Sequence, residues 1–348
     1  MPRSRTVFRA TILILFTLAL AVPPAAMRAF AQQDSGPQKP ASPQQQQQAT
    51  ITVQAPAVNI DAVVTDQDGN ILTGLKKENF RVYDENKEQQ ITNFAPTDAP
   101  ITIVIVMEFS SRFYGIFAQY GTYWSDEFLG HLGQKDWVAL VTYDLKTTIR
   151  TDFTQNKMEV RDAIRQLFFP DFHEANMFDA LLETVDRLKD VQGKKSILLM
   201  STGYDTFSKH TYDQTLKAMK QTDVTIFAVS TGEAIAVRTG ADADIGYLQA
   251  QNQLNSLTKL TGGYAWFPRF DGELPSIFNS VTAFLRNQYT IGFTPTNYAT
   301  DGKFHKLRVE VVDDAGNPLM TTNKKGKKQK IVVYAREGYL TPKGSVGD

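Results

Sequence analysis

The sequence contains no cysteine and only four histidines among its 348 residues. The absence of cysteine excludes disulfide bonds, thiolate nucleophiles and cysteine-ligated zinc or iron–sulfur centres. Basic and acidic residues balance at 37 each, so the chain lacks the bulk positive charge that attracts nucleic acid. The G-x-S-x-G elbow of common hydrolases and the phosphate-binding G-x-x-x-x-G-K-[ST] loop are also absent. We therefore expect neither a nucleic-acid partner nor these common catalytic folds.

The first 31 residues have the features of a secretory signal peptide. Arg3, Arg5 and Arg9 precede an uncharged, mostly apolar run over residues 10–22, and an A-x-A cleavage pattern ends at Ala31. The apolar run is shorter than the roughly 20 residues that a membrane-spanning helix needs. We therefore expect cleavage rather than membrane anchoring, a periplasmic or secreted location, and no transmembrane span in the mature chain.

After the signal peptide, the chain divides into segments that differ in composition and in the spacing of their apolar residues. Residues 32–50 are rich in Gln, Pro and Ser, which predicts a disordered linker because such a stretch has little apolar surface to bury. Residues 51–99 and 286–342 contain short runs with the period of half-buried strands. Neither segment is long enough to bury a core alone. We expect the two to pack together as one β-sandwich-like module, followed by a tail over residues 343–348.

Residues 100–285 alternate strand and helix patterns. Continuous apolar runs, which are typical of strands buried on both faces, occupy residues 101–107, 137–143, 196–200 and 224–229. Helical patterns cover residues 113–132, 158–168, 177–188, 212–219 and 248–260. This alternation predicts an α/β fold with a Rossmann-like, doubly wound, mostly parallel sheet. The functional surface of such a fold lies beyond the carboxyl ends of its strands.

Three segments of this region carry a specific pattern: E-F-S-S-R at residues 108–112, N-M-F-D-A-L at 176–181 and S-I-L-L-M-S-T-G at 196–203. Together they resemble the von Willebrand factor A (VWA) domain. Flanking motifs such as Q-Y-T-I-G-F at 288–293 and A-R-E-G-Y at 335–339 are similar to those of an exported bacterial VWA-related subfamily common in Acidobacteria. The resemblance covers residues 58–340 and implies a VWA-like fold.

The resemblance also implies the place of a metal-ion-dependent adhesion site. The family builds this site from D-x-S-x-S, a threonine and an aspartate on three loops, and such oxygen ligands suit a hard divalent cation. The residues at these five positions are Glu108, Ser110, Arg112, Ala175 and Thr202. One ligand is unchanged, and Arg112 adds a positive charge. We expect a degenerate site without metal or cofactor; the alternative is magnesium or manganese held by Glu108 and Ser110.

The loops of this degenerate site form the predicted partner-binding surface, which also includes Asp179 and Asp205. The guanidinium of Arg112 cannot readily lose its proton. We expect it to pair with Glu108 and replace the charge of the lost ion, although an arginine pointing to solvent is the equal alternative.

The sequence therefore predicts an exported, non-enzymatic interaction module of the adhesion type. Its partner would be an unidentified protein or peptide in the cell envelope or outside the cell. Two alternatives stay open: a divalent-metal-dependent adhesion domain, and a hydrolase that uses carboxylates such as Glu108 and Asp205 but has no supporting motif. The lysine-rich residues 324–330 predict a solvated hairpin tip rather than a polyanion site.

Overall fold

The computed structural model describes residues 57–95, 99–240, 245–296 and 298–343. The predicted signal peptide and the predicted linker lie outside these residues, as does the tail after residue 343. Within the described part of the chain, no helix is both long and apolar enough to cross a membrane.

The described elements follow one another in three groups. The first group is β1 (Val58–Thr65), β2 (Phe80–Asp84), β3 (Lys87–Gln89) and β4 (Ile91–Ala95). The central group is β5 (Ile101–Glu108), α1 (Ser111–His131), β6 (Trp137–Tyr143), β7 (Thr147–Thr154), α2 (Lys157–Arg165), α3 (Met177–Leu188), β8 (Lys194–Ser201), α4 (Tyr212–Met219), β9 (Thr225–Ser230), α5 (Gly232–Thr239), α6 (Ile245–Thr261), β10 (Ala265–Trp266) and α7 (Leu274–Arg286). The last group is β11 (Tyr289–Phe293), β12 (Phe304–Val311), β13 (Met320–Thr322), β14 (Lys328–Lys330), β15 (Val332–Ala335) and β16 (Gly338–Leu340).

The central group forms a six-stranded sheet in the order β10-β9-β8-β5-β6-β7. All neighbouring strands are parallel except β6 and β7, which are antiparallel. The sequence analysis did not place β7. Only residues 144–146 separate it from β6, and so short a connection can join antiparallel strands but not parallel ones. The predicted α/β, doubly wound, mostly parallel fold is confirmed.

Helices cover both faces of this sheet, and the apolar side chains of β5 contribute to the core on each face. Ile103 and Ile105 belong to the core beneath α1, α2 and α7, whereas Val104 and Val106 belong to the core beneath α3, α4 and α6. Every residue of β5 is buried. This double burial is the reason that the strand is continuously apolar rather than alternating.

Helix α7 was also missed by the sequence analysis, although its pattern is regular. Ile277, Val281 and Leu285 are four residues apart and are buried, as expected for the inner stripe of an amphipathic helix. The ring of Phe278 stacks on Trp124 of α1 with centroids 5.2 Å apart. Helix α7 therefore completes one apolar face of the central domain.

The first and last groups of strands form two antiparallel sheets, ordered β15-β1-β11-β4 and β16-β12-β2-β3. Strand β1 pairs with β11 and β15, and β2 pairs with β12. A shared apolar core, which includes Ile60, Phe80, Ile291 and Leu307, lies between the sheets. The prediction that the two terminal β segments pack together is thus confirmed, because each supplies strands to both sheets.

The remaining hairpin, β13–β14, contains the lysine-rich run. Its two strands pair only with each other within the described part of the chain. Gly326 has φ +76° at its turn, a left-handed conformation that glycine adopts without steric cost. The exposed lysines occupy this hairpin tip, as predicted.

Candidate functional site

Three loops meet beyond the carboxyl ends of β5 and β8, a surface that we call the top face. They are the loop after β5 (residues 109–110), the loop before α3 (166–176) and the loop after β8 (202–211). The Ser111 N–H donates to the carbonyl of Phe172 at 2.9 Å, and the Thr206 N–H donates to the carbonyl of Ala175 at 2.9 Å. These bonds hold together segments that are distant in sequence because parallel strands end at the same edge of the sheet.

The side chain of Glu108 lies at the centre of the top face and is fully buried. The Ser110 hydroxyl donates to its Oε1 at 2.5 Å. Its Oε2 accepts from the Thr202 backbone N–H at 2.7 Å, the Thr202 hydroxyl at 2.8 Å and the Ser201 hydroxyl at 3.1 Å. The carboxyl group therefore ties the loop after β5 to the loop after β8.

Ser201 was not among the predicted site residues, yet it connects Glu108 to a second strand end. Its hydroxyl accepts from the Tyr143 phenol at 2.7 Å and from the Gly203 N–H at 2.8 Å while it donates to Glu108. The sequence carried a signal for it, because Ser201 is the serine of the S-T-G segment at the end of β8. Tyr143 ends β6 in the same way.

Burial controls the electrostatics of this network. Burial raises the pKa of Glu108, although hydrogen bonds from Ser110, Thr202 and Ser201 oppose the increase. Burial and the adjacent Glu108 charge also raise the pKa of the Tyr143 phenol. Tyr143 therefore stays a neutral donor at physiological pH.

These residues do not fit the divalent cation that the family site implies. Both oxygens of Glu108 already accept hydrogen bonds from protein donors, and the methyl group of Ala175 offers no ligand. Within the described ranges, no cluster of three or more His, Cys, Asp or Glu side chains is arranged to hold a metal. Magnesium is usually held by one or two carboxylates, with waters completing its octahedral shell. At the centre of the top face the carboxylate of Glu108 is instead occupied by donors of the chain itself.

The predicted ion pair between Glu108 and Arg112 is wrong. Arg112 is exposed, and its guanidinium carbon lies 5.5 Å from the centroid of the Tyr204 ring. None of the ion pairs of the described residues includes Arg112. The donors from Ser110 and Thr202 already satisfy the buried carboxyl group, so the long arginine side chain extends to solvent, where its charge stays hydrated.

Asp179 and Asp205 hold the loop after β8 against the start of α3. Asp205 accepts from the Phe178 N–H at 3.0 Å and from the Ser208 hydroxyl at 2.5 Å. Asp179 accepts from two backbone N–H groups, at residues 209 and 210, and lies 2.7 Å from Nδ1 of His210. Burial raises the pKa of Asp205. Burial also acts to raise the pKa of Asp179, but the hydrogen bonds that this carboxylate accepts outweigh burial, so the pKa of Asp179 is lowered.

Exposed aromatic rings surround the buried centre, and the sequence analysis did not identify them. Phe168 is 68% exposed, Phe169 77% and Phe207 69%, and Phe172 is also exposed. The Phe169 ring lies 5.6 Å from the ring of Tyr114 in the first turn of α1, which places it beside the loop after β5. The signal was the F-F-P-D-F run at residues 168–172, because exposed apolar side chains that cluster typically mark an interaction surface.

The family comparison agrees with this geometry. Residues 103–250 match the model of the von Willebrand factor type A domain. The central part of this chain is a VWA domain. The match begins within β5 and ends within α6, so it includes all three loops of the top face. A comparison with curated proteins finds no match.

Several solved structures are similar to the chain at low sequence identity. A von Willebrand factor type A protein from Catenulispora acidiphila is 10% identical, with 84% of this chain and 75% of that chain covered and a TM-score of 0.43. The vWF domain of the type V pili tip protein Mfa5 from Porphyromonas gingivalis is 13% identical, with 54% of this chain and 95% of that chain covered and a TM-score of 0.41. Proximal thread matrix protein 1 from the mussel byssus is 13% identical, with 55% and 49% covered and a TM-score of 0.41.

Proposed function

We propose that this protein is an exported, non-enzymatic interaction module that binds a protein or peptide on the top face of its VWA domain without a metal ion. The buried, fully hydrogen-bonded carboxyl group of Glu108 carries this proposal. In a metal-dependent site, the cation binds the partner directly. Here the chain's own hydrogen-bond donors occupy the carboxyl group at the centre of the site. A partner would therefore contact the residues that surround this centre.

Those surrounding residues have the composition of a binding surface. Phe169 and Phe207 expose most of their rings, and aromatic side chains contribute large apolar contact areas at interfaces. Arg112 adds an exposed cation that can form a two-point hydrogen bond with a carboxylate of the partner. We therefore expect a partner segment that combines apolar side chains with at least one acidic group.

The β module supports this function by its position. It contacts the opposite end of the central sheet, where Lys194 at the start of β8 donates to the carbonyl of Gln288 at 3.0 Å. Arg336, which follows β15, donates to the carbonyl of Thr222 just before β9 at 3.0 Å. The module therefore leaves the top face open.

A hydrolase is not favoured by the same geometry. Glu108 is fully buried, so a substrate cannot reach its carboxyl oxygens. Asp205 accepts hydrogen bonds that fix the local backbone, which is a structural role. Neither carboxyl group is placed to act as a general base on a bound molecule, because such a base must reach the proton that it removes.

Capture of partners from an envelope extract tests the proposal. The mature protein should retain its partner when EDTA is present, and a Phe169→Ser/Phe207→Ser variant should lose the partner by at least tenfold. A matched variant, Lys324→Ser/Lys325→Ser, changes two exposed residues of the hairpin tip and should bind as the wild type does. Binding that EDTA abolishes would contradict the proposal, as would equal binding by the two double variants.

A further inference from the structure

A cleft of about 800 Å³ lies between the β module and the amino ends of β8 and β9. It is at the opposite end of the central sheet from the top face. Its volume is within the range of roughly 300–1,000 Å³ that is common for small-molecule sites. The cleft is lined by charged side chains from both sides. Two of them, Asp61 and Arg336, are partly buried and belong to none of the ion pairs of the described residues.

The first of these is the carboxylate of Asp61 on β1. It is mostly buried, and its Oδ1 accepts from the Thr290 hydroxyl at 2.7 Å. None of the ion pairs of the described residues includes it. Burial raises the pKa of Asp61, and the nearby charges of Lys194 and Arg336 partly oppose this. Asp61 is therefore a poorly solvated acid that faces the cleft without a direct cationic partner.

The second is the guanidinium of Arg336, which follows β15. Its Nε donates to the carbonyl of Gly338 at 2.8 Å, and a terminal nitrogen donates to the carbonyl of Thr222 at 3.0 Å. Both acceptors are neutral. Burial lowers the pKa of Arg336, while Asp223 and Asp61 act in the opposite direction. Asp61 and Arg336 therefore interact electrostatically across the cleft without forming an ion pair.

The other charges and the walls of the cleft limit what it can hold. Lys195 is paired with Asp223 at 3.0 Å and also donates to the carbonyl of Val191, so these two charges already neutralise each other. Lys194 donates to the carbonyl of Gln288. Asp186 and Lys189 are exposed to solvent, which screens their charges. Apolar side chains from α3, from α4 and from the residue before β9 also line the cleft: Leu182, Val185, Ala218 and Val224. A complementary ligand thus has two opposite charges and an aliphatic body.

We propose that this cleft binds a small zwitterion of the amino-acid class, with its ammonium group on Asp61, its carboxylate on Arg336 and an aliphatic side chain against α3 and α4. Burying single charges costs free energy unless opposite charges and hydrogen bonds compensate. A zwitterion supplies both opposite charges at once. A guanidinium is also suited to a carboxylate, since its N–H groups form a fixed fork. This site is independent of the top face.

Thermal unfolding of the mature protein with leucine and with leucyl-leucine tests the proposal and separates a free amino acid from a short peptide. At least one of them should raise the melting temperature saturably, by about 5 °C at a hundredfold excess over Kd. Two controls lack one charge each: isoamylamine has only the ammonium group and isocaproate has only the carboxylate. Neither should shift the melting temperature by more than a fifth of the zwitterion's effect.

Variants then test whether the shift in melting temperature arises from binding in the cleft. Asp61→Asn, which keeps the hydrogen bond from Thr290, should lose the shift, whereas Asp162→Asn on the exposed side of α2 should retain it. Ala218→Leu leaves the charges in place but fills the cleft from α4, and it should also lose the shift; it is informative even where Asp61→Asn does not fold. The proposal is overturned where neither zwitterion shifts the wild type, where a control with a single charge shifts it equally, or where the shift persists in both cleft variants.

Discussion

Replacing Glu108 tests the central interaction of the top face. Glu108→Ala removes the acceptor for the buried Thr202 N–H and for the hydroxyls of Ser110, Ser201 and Thr202. A buried N–H without a partner costs about 1–3 kcal/mol, and the lost side chain adds about 0.8 kcal/mol for each buried methylene. The hydroxyls can rotate toward other acceptors, and loss of the buried charge offsets part of the cost. We therefore expect a net loss of about 3 kcal/mol in the free energy of unfolding.

The isosteric change Glu108→Gln is the matched control. Its amide oxygen can accept from the Thr202 N–H, and its amide nitrogen can donate to the Ser110 hydroxyl oxygen. We expect it to remain within about 1 kcal/mol of the wild type at neutral pH, because a hydrogen-bonded neutral group avoids the cost of a buried charge. Urea unfolding followed by tryptophan fluorescence measures both variants, since Trp124 is buried in the native state.

The pH dependence separates the charge of Glu108 from its shape. The folded-state pKa of Glu108 is raised above the ordinary value of 4.5, so the native state binds this proton more tightly than the unfolded chain does. The resulting stabilisation is complete below pH 4.5 and is lost as the pH rises through the folded-state pKa. The stability of the wild type relative to Glu108→Gln should therefore fall over that window. A difference that is flat or rises with pH, or an Ala variant as stable as the Gln variant, would refute the reasoning.

Three further measurements test the rest of the structure. Magnesium or manganese should not shift the melting temperature of the wild type. A variant that restores the family ligands should gain a saturable shift; its changes are Glu108→Asp, Arg112→Ser, Ala175→Thr and Thr202→Asp. A shift in the wild type would show that its site still binds metal. Arg112→Ser alone should change the free energy of unfolding by less than about 0.5 kcal/mol, because an exposed side chain without an ion pair contributes little; urea unfolding that shows a larger loss would contradict its placement. Asp136→Ala should lower the free energy of unfolding by about 3–5 kcal/mol in the same assay. The buried carboxylate of Asp136 forms an ion pair with Arg286 and accepts from the N–H groups of residues 101 and 133. A decrease below about 1 kcal/mol would show that these contacts do not stabilise the fold.

The order of strands and helices in the central domain could be predicted because periodicity is a local property of the sequence. Met177–Leu188 and Tyr212–Met219 were predicted with the bounds that the structure has, since each combines an apolar stripe with a defined start. The edge strand Thr147–Thr154 was not predicted. Its residues are mostly exposed or half-buried, so they lack the apolar run that marks a strand buried on both faces.

The sequence by itself predicted that the metal ligands of the family site are replaced, because residue identities at motif positions can be read directly. Only the tertiary structure decided what those replacements do. All donors to Glu108 except the Ser110 hydroxyl come from residues 93 and 94 positions further along the chain. The cleft places Asp61 and Arg336, from the two ends of the β module, in one lining. Such contacts depend on strand pairing and side-chain direction across the whole fold, and local sequence patterns do not contain that information.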